Sequence, residues 1–428
     1  MILRRTSTLP SGRRDAVDAD AYAFAARIVG DVRRRGRDAL VEHAERLGDV
    51  GSGEPLVLGR DALEAALGRI PEETRALLER AAARIARFAE AQRRALGELT
   101  VPVEGGEAGH IVAPIERAGC YVPGGRFPLP STALMTAVTA RAAGVREVWV
   151  ASPHPSDIVL AAAAVAGADA VLAAGGAQAI AALAYGAGEV PACDAVVGPG
   201  NRWVTAAKKA VAGDVSIDAL AGPSELVVLA DGSADPALVA ADLLAQAEHD
   251  PDALPVLVCL DDTFLEDVDA ELARQLADLP TAITARAALS NGFAIRAAGL
   301  DDAVRICNDL APEHLELCTR DPNALVPRLR HYGALFVGQG AAEVLGDYGA
   351  GPNHVLPTGR TARWTGGLSV LTFLRVRTWL RIDVPSAAEP VVRDAATLAR
   401  LEGLEAHARA AEARRRASGV RRSSGGAG

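Results

Sequence analysis

Residues 147–175 read EVWVASPHPSDIVLAAAAVAGADAVLAAG, and this stretch decides the fold class. An apolar run, EVWVAS, precedes an alanine-rich helical pattern, and a second apolar run, AVLAAG, follows it. Neighbouring parallel strands need a crossover connection of about a dozen residues or more, usually a helix. The stretch therefore predicts a βαβ unit within a parallel sheet.

The same alternation continues along the chain in two segments. The first adds the strand pattern DAVVG (194–198), with helical patterns before and after it. The second holds the strand patterns SELVVLA (224–230), LPVLVCL (254–260) and ALFVG (334–338). Strands that alternate with helices, about 25 residues apart in the first segment, predict parallel sheets covered by helices on both faces.

The two ends of the chain have different patterns. TRALLERAAARIARFAEAQRRALGEL (74–99) carries apolar residues at helical spacing, and the first 120 residues are mostly helical in pattern. From about residue 369 onwards, the pattern is a strand or two followed by one helix, AATLARLEGLEAHARAAEARRRA (395–417). We therefore expect an α/β protein with extensions at both ends.

Composition and charge argue against several classes of protein. The chain has 428 residues, 50% of them hydrophobic, and a net charge of −9, so it can bury a sizeable core and lacks the positive charge that nucleic acid or an anionic membrane attracts. Its longest apolar stretch, Ile158 to Ala168, is shorter than the roughly 18 residues of a membrane span. The basic N-terminus has no apolar run behind it, which argues against a signal peptide. Five scattered cysteines without a CxxC pair indicate reduced thiols, so we expect a cytoplasmic protein.

Two glycine- and proline-rich loops are candidates for a cofactor site. GPGNRWVTAAKKA (198–210) follows a strand pattern and opens a helix, where backbone N–H groups can face a phosphate. YVPGGRFPLP (121–130) is a second such loop at the start of the same α/β segment. The alternative for both is a tight turn without a ligand, and GxGxxG occurs nowhere in the chain.

The helical stretch LLAQAEHDP (243–251) places an amide and an imidazole on one face. Gln246 and His249 are three residues apart, so their side chains lie on the same side of a helix, while Glu248 points elsewhere. Such a pair is more often a polar helix edge than half of a metal site, and Gln is an uncommon zinc ligand. The spacing alone leaves both interpretations open.

Three more stretches combine acidic residues with histidine. APEHLEL (311–317) contains Glu313 and His314, whose adjacent side chains suggest two separate roles. The glycine-rich GDYGAGPNHVLPTG (346–359) and the helical LEGLEAHARA (401–410) contain two further pairs. Nitrogen and oxygen ligands for zinc could come from these stretches and the LLAQAEHDP helix, but only the fold can bring them together. The candidate site residues in the last two stretches are Asp347, His354, Glu402 and His407.

Taken in order, these motifs resemble those of the histidinol dehydrogenases. The resemblance covers roughly Ala113 to Ala410 and rests on YVPGG, GGAQAIAALAYG, GPGN, AGPSE, QAEH, APEHLEL, GDYGAGPNHVLPT and LEGLEAHA. It implies a zinc enzyme of histidine biosynthesis that oxidises L-histidinol to L-histidine through the aldehyde, using NAD twice. It also implies a homodimer with a shared active site.

The resemblance further implies a fold and a set of domains. The fold is α/β, with two incomplete Rossmann-like parallel-sheet modules and helical extensions at both ends. We expect a helical N-terminal region packing on the second module, an NAD-binding module, a second module with the zinc and catalytic residues, and a C-terminal extension reaching the partner subunit's site. Their bounds are 1–120, 121–222, 223–368 and 369–428.

The resemblance also assigns roles to individual residues. The implied zinc ligands, the last of them from the partner subunit, are Gln246, His249, Asp347 and His407. The implied catalytic pair is Glu313 and His314. The implied substrate contacts, besides the zinc ligands and His314, are Ser224, His354 and Glu402. The implied NAD contacts are Tyr121, Gln178 and Asn201.

Chemistry suggests how these groups act and which alternatives remain. His314 suits removal of the hydroxyl proton as hydride leaves, and Glu313 suits activation of the water that hydrates the aldehyde. One alternative is a relative that acts with zinc and NAD on another amino alcohol or a sulfonated diol. Others are a zinc hydrolase that uses Glu313, a non-catalytic scaffold, and a cysteine nucleophile, for which Cys120 and Cys318 lie near motifs.

Overall fold

The computed structural model describes residues 2–7, 9, 17–51, 53–124 and 128–420, with side chains to 414. Gly125 of the YVPGG motif lies outside the described residues. The chain divides into two compact units. The first is Met1–Arg93 with Ile115–Phe373, and the second is Arg94–Pro114 with Leu374–Gly428.

The described strands fall into three sheets. In chain order they are β1 Arg4–Arg5, β2 Val57–Gly59, β3 Leu99–Val103, β4 Gly106–Pro114, β5 Arg117–Tyr121, β6 Glu147–Ala151, β7 Ala170–Leu172, β8 Ala195–Val197, β9 Ser216–Ile217, β10 Glu225–Ala230, β11 Leu254–Cys259, β12 Phe293–Arg296, β13 His314–Cys318, β14 Ala334–Val337 and β15 Leu374–Ile382.

The described α-helices mostly alternate with these strands. In chain order they are α1 Ala19–Arg35, α2 Arg37–Leu47, α3 Arg60–Arg69, α4 Glu72–Arg94, α5 Pro130–Ala143, α6 Asp157–Val165, α7 Gly176–Tyr185, α8 Arg202–Val211, α9 Pro236–His249, α10 Asp262–Ala277, α11 Ala282–Asn291, α12 Leu300–Leu310, α13 Glu343–Asp347, α14 Glu389–Leu401 and α15 Glu405–Val420.

The first sheet contains the βαβ unit predicted from residues 147–175. Its strand order is β2-β7-β6-β5-β8-β9, and β6 pairs parallel with β7 across the helix α6. The antiparallel strand is β2, at the edge beside β7. From β5 the chain runs through β6 and β7 to one side, and β8 then pairs on the other side of β5. The crevice between β5 and β8 is therefore a topological switch point, where α/β proteins bind ligands.

The second sheet is wholly parallel, in the order β1-β12-β11-β10-β13-β14. Leu226 and Val228 of β10 pack on one face with residues of α9, α10 and α11. Val227 and Leu229 pack on the other face with residues of α12. A strand buried on both faces reads as a continuous apolar run, and SELVVLA has that pattern. The α/β class with two parallel modules is confirmed.

The N-terminal region contacts both modules and is not helical throughout. Helices α1 and α2 pack on α7, α1 also packs on α8, and α3 packs on α6, all in the first module. Strand β1 pairs with β12 of the second module, and Arg84 of α4 donates to the Gly349 carbonyl there. The apolar face of α1 explains the packing of that helix, because Ala25, Ile28 and Val32 belong to the core that contains α7 and α8. Residues 99–114 are also not helical: they form the hairpin of β3 and β4, which turns at Gly105 with φ +81°.

The second unit consists of the sheet β15-β4-β3 and two helices that pack on each other, α14 and α15. The sequence predicts one helix over 395–417, but the chain breaks at Gly403, whose φ of +75° ends α14 before α15 begins. Within the described ranges, no helix combines the length and apolarity needed to cross a bilayer.

Candidate functional site

The candidate catalytic pair is held by one residue of the neighbouring strand. Glu313 and His314 lie at the amino end of β13, and the register of β10 with β13 places Leu226 opposite His314. The backbone N–H of Glu225 donates to Glu313 Oε2 at 2.9 Å, and His314 Nδ1 donates to the Glu225 carbonyl at 3.2 Å. Both side chains are buried, and Ser224 contacts the Glu313 carboxyl.

Burial sets the protonation of this pair. It lowers the pKa of His314 to about 4, so the imidazole is neutral at pH 7. Because Nδ1 carries its proton toward the Glu225 carbonyl, the lone pair lies on Nε2, which is buried and has no hydrogen-bond partner among the described residues. Burial also raises the pKa of Glu313 well above its usual value. The pair thus presents a proton acceptor beside a carboxyl of raised basicity.

The end of α9 supplies an unpaired amide. Gln246 is completely buried, yet its Nε2 and Oε1 both lack hydrogen-bond partners among the described residues. The apolar face of the same helix, with Leu243 and Ala247 fully buried in the second module's core, fixes the helix position. His249, the last helical residue, lies one turn further on, as the i, i+3 spacing predicts. A fully buried amide without partners is costly unless a ligand satisfies it.

Asp347 joins this helix end to the glycine-rich loop. Its Oδ2 lies 3.5 Å from His249 Nε2, and its backbone carbonyl accepts from His354 Nδ1 at 3.0 Å. Burial opposes ionisation of Asp347, but the hydrogen bond with His249 and the nearby imidazoles keep its pKa below the usual value. The same bond raises the pKa of His249. Gln246, His249 and Asp347 all belong to the second module. Asp347 follows the other two by about 100 residues in the sequence, so only the tertiary fold brings it next to His249.

Glu343 belongs to this cluster, although its sequence context did not predict a role in the site. One potential ligand atom each from His249, Glu343 and Asp347 lies within 4.8 Å of the others. Glu343 is 1% exposed, its carboxyl oxygens have no hydrogen-bond partner in the part of the chain that the structure describes, and Oε1 lies 3.5 Å from His314 Nδ1. Burial raises the pKa of Glu343 well above its usual value. The available signal was the i, i+4 spacing of Glu343 and Asp347, which puts both on one face of α13.

A cavity of about 550 Å³ adjoins these groups. His314, Asp347 and His354 contribute its polar side, and Phe88 and Phe336 contribute apolar surface. A mostly apolar cavity with a few convergent polar groups is the usual form of a small-molecule site.

The loop that carries His354 is tied to the first module. Asn353 Nδ2 donates to the Met135 carbonyl at 2.8 Å and to Thr139 Oγ1 at 3.1 Å, both on α5. His354 Nε2 lies 3.5 Å from Thr132 Oγ1 of the same helix. Burial lowers the pKa of His354, so its imidazole is neutral at pH 7. The two modules therefore meet at the cavity wall.

The three candidate NAD contacts lie at the carboxyl edge of the first sheet. Tyr121 ends β5, and its hydroxyl accepts from the Gly176 N–H at 3.2 Å. Gln178 is 1% exposed, its Nε2 donates to Asp49 Oδ2 at 2.7 Å, and its buried Oε1 has no described partner. Asn201 caps α8, accepting from the N–H groups of the second and third residues after it. Each side chain thus has a structural role besides any ligand contact.

Two candidates lie in the second unit. Glu402 is the residue after α14, and His407 lies in the first turn of α15; both are exposed. The metal cluster described above belongs to the first unit alone.

The cysteine alternative loses support. Cys120 and Cys318 are buried, and burial raises the pKa of each thiol to about 12. A thiol with this pKa is protonated at pH 7 and is a poor nucleophile.

Fold and site together define the class: an enzyme with two parallel α/β modules, a glycine turn at the switch point of one, and a buried carboxylate and imidazole cluster in the other. The model of the histidinol dehydrogenase family matches residues 12–415, and the chain belongs to that family. The histidinol dehydrogenase of Thermus thermophilus is 49% identical over 392 residues, covering 91% of this chain and 93% of the relative. That of Chromobacterium violaceum is 46% identical, covering 93% of each. The crystal structure of histidinol dehydrogenase from Elizabethkingia anophelis superposes with a TM-score of 0.90 at 29% identity, covering 97% of this chain and 98% of that one.

Proposed function

We propose that the chain is a zinc-dependent dehydrogenase that oxidises L-histidinol to L-histidine through the aldehyde, with NAD as the hydride acceptor in both steps. The observation that carries this proposal is the fully buried amide of Gln246, which has no hydrogen-bond partner among the described residues and lies one helical turn before His249, whose Nε2 is 3.5 Å from Asp347 Oδ2. Family membership supports the substrate and the reaction. We place the reaction in histidine biosynthesis and in the cytoplasm, where the five free thiols would stay reduced.

The cluster fits a zinc ion by the chemistry of its donors. An imidazole nitrogen and a carboxylate oxygen are usual zinc ligands, and an amide oxygen is a less common one. A bound ion would satisfy the orphaned Gln246 oxygen. We assign Gln246, His249 and Asp347 as three ligands and His407 of a second copy as the fourth. When bound, zinc supplies a Lewis acid to which the amine and imidazole nitrogens of the substrate can attach.

His314 is the proposed base of both oxidations. Its Nε2 is the free acceptor, because Nδ1 is held by the Glu225 carbonyl. It takes the carbinol proton in the first oxidation and a proton of the hydrated aldehyde in the second. Because its pKa is about 4, the imidazole is neutral at physiological pH and free to accept a proton, but the same burial makes it a weaker base than an exposed imidazole.

Glu313 is the proposed activator of the water that hydrates the aldehyde. Its raised pKa makes it a stronger base than an exposed carboxylate. The Glu225 N–H and Ser224 hold its carboxyl, and both lie at the start of β10. Ser224, His354 and Glu402 are the further substrate contacts that we propose.

NAD is proposed to bind at the carboxyl edge of the first sheet. The switch point between β5 and β8, the Gly-Pro turn at 198–201 and the buried, unpartnered Gln178 Oε1 support this assignment. Tyr121, Gln178 and Asn201 are the proposed contacts.

A homodimer is proposed because the second unit exposes apolar and ligand-type side chains together. Leu398, Leu401 and Leu404 are 60%, 79% and 44% exposed around the break between α14 and α15, where Glu402 and His407 also lie. Contiguous exposed leucines are typical of protein interfaces. Packing of this region on a second copy would bury the leucines and bring its His407 to the partner's three ligands.

The proposal is tested by the NADH yield on limiting L-histidinol. We expect two NADH per histidinol, loss of turnover on zinc removal, and recovery on adding zinc. A relative acting on another amino alcohol or a sulfonated diol would turn over that compound and not histidinol. A zinc hydrolase would produce no NADH with any of these compounds, and either result would overturn the proposal.

A further inference from the structure

A buried ion pair holds both polar backbone groups of Gly198. Lys208 lies on α8 and Asp218 follows β9; their side chains are 3% and 0% exposed and pair with each other. Lys208 Nζ donates to the Gly198 carbonyl at 2.9 Å, and Asp218 Oδ2 accepts from the Gly198 N–H at 2.8 Å. The position of this one residue is therefore fixed from both sides by opposite charges.

Gly198 can be held only through its backbone. Its φ is +114°, and an added Cβ would lie 2.1 Å from the carbonyl oxygen of Tyr121. The glycine thus packs directly on the end of β5, at the switch point of the first sheet. Three residues later, Asn201 opens α8, so the position of Gly198 determines where the turn presents Asn201.

Stability alone is a poor explanation for this pair. Burying two charges costs desolvation free energy, and their mutual attraction often only offsets that cost. An apolar pair of similar volume is often equally stabilising. The pair instead fixes the position of the turn, because Gly198 has no side chain and both its backbone groups bind Lys208 and Asp218. Lys208 and Asp218 lie outside the set of residues to which the sequence assigned a role.

We propose that Lys208 and Asp218 are positioning residues for NAD, acting through Gly198 on the turn between β8 and α8. This inference rests on the proposed function, since it takes NAD as the ligand of that edge. Loss of the pair should weaken NAD binding and leave the metal cluster and the histidinol site of the second module unchanged.

The test compares Lys208→Met with Lys209→Met, the neighbouring lysine on the same helix. Lys209 is exposed, and its Nζ lies over the Tyr22 ring at 5.3 Å, so it controls for the loss of a lysine from α8. We expect Lys208→Met to raise the Kd of NAD, measured by calorimetry, and the KM for NAD roughly tenfold or more. Zinc content, kcat at saturating NAD and the KM for histidinol should stay within about twofold, and Lys209→Met should match the wild type.

Lys208→Met leaves Asp218 as an isolated buried charge and can impair folding. The double variant Lys208→Met with Asp218→Asn removes both charges and decides the matter in that case, with the same expected rise in the Kd of NAD. A wild-type Kd in the folded variant would overturn the inference. A merely structural role would lower the melting temperature without this selective change. Failure of the proposed function is a separate result, since the wild type itself would then make no NADH from histidinol.

Discussion

His314 Nδ1 lies 3.2 Å from the backbone carbonyl of Glu225, and this contact determines which nitrogen of the imidazole can accept a proton. The N–H of the same Glu225 residue holds Glu313, so one peptide segment at the start of β10 orients both proposed catalytic side chains. Neither contact depends on the Glu225 side chain, whose Oε1 instead accepts from the Gly359 N–H at 3.1 Å.

The first prediction concerns the proton acceptor. His314→Asn keeps an N–H donor for the Glu225 carbonyl but removes the basic nitrogen, so kcat should fall by roughly 10²- to 10⁴-fold. The KM for NAD should change little, because NAD is proposed to bind on the first module. His331→Asn, a partly exposed histidine outside the cavity lining, serves as the control and should keep wild-type kcat. Wild-type turnover in His314→Asn would exclude His314 as the base.

The second prediction concerns the unpaired amide. Gln246→Ala should lower zinc affinity by roughly 100-fold or more, because loss of a ligand costs more than the roughly 10- to 100-fold that loss of an outer-shell partner costs. Metal content after dialysis against a competing chelator measures this. Glu248→Ala is the control: Glu248 lies on the same helix but accepts from Thr281 Oγ1 at 2.6 Å, away from the cluster. Equal zinc retention by both variants would contradict the assignment of Gln246.

The third prediction is a pH dependence of stability. Burial, with Asp242 nearby, raises the pKa of Glu316 from 4.5 to about 8. The native state therefore keeps a proton that the unfolded chain has already lost, so Glu316 reduces stability as pH rises from about 4.5 to 8. Glu316→Gln removes this loss. The unfolding free energy of Glu316→Gln relative to wild type should rise with pH in this window, by at most about 1.4 kcal/mol per pH unit. Urea titrations at several pH values measure it, and a constant difference would show that Glu316 does not titrate there.

The fourth prediction concerns the dimer. His407→Ala and His249→Ala chains should each be inactive alone, because each lacks a proposed zinc ligand. If the site is shared, a mixed dimer has one intact site, and random mixing in equal amounts should restore about a quarter of the wild-type activity. Unmixed samples treated in the same way are the controls. No recovery in dimers shown to be mixed would place all four ligands on one chain.

The sequence predicts local structure well where periodicity and length agree. The βαβ unit at 147–172 and the strand at 225–230 are such cases, and the spacing of Gln246 and His249 correctly put both on one helix face. The strands β12 and β13 were not predicted, because an apolar run this short can equally belong to a buried helix.

What the sequence could not supply is tertiary. The apolar face of α1 predicts that the helix packs, but not on which module it packs. Helices α1, α2 and α3 lie on the first module, whereas α4 contacts the glycine-rich loop of the second. From the sequence, Glu343 resembles an acidic residue on the exposed surface of a helix. Only the tertiary fold shows that it is buried beside His314. The order of the motifs led to the assignment of Asp347 beside His249, because the 97 residues between them carry no periodic signal that joins them.

Anomalous diffraction at the zinc edge, from crystals of the zinc-loaded protein, would show whether Gln246, His249 and Asp347 supply three of the four zinc ligands. We expect a strong peak at about 2.0–2.2 Å from the Gln246 amide oxygen, a His249 ring nitrogen and an Asp347 oxygen, with His407 of a second chain as the fourth ligand. A peak bound by Glu343 with the Gln246 amide turned away, or a peak elsewhere in the molecule, would contradict this assignment.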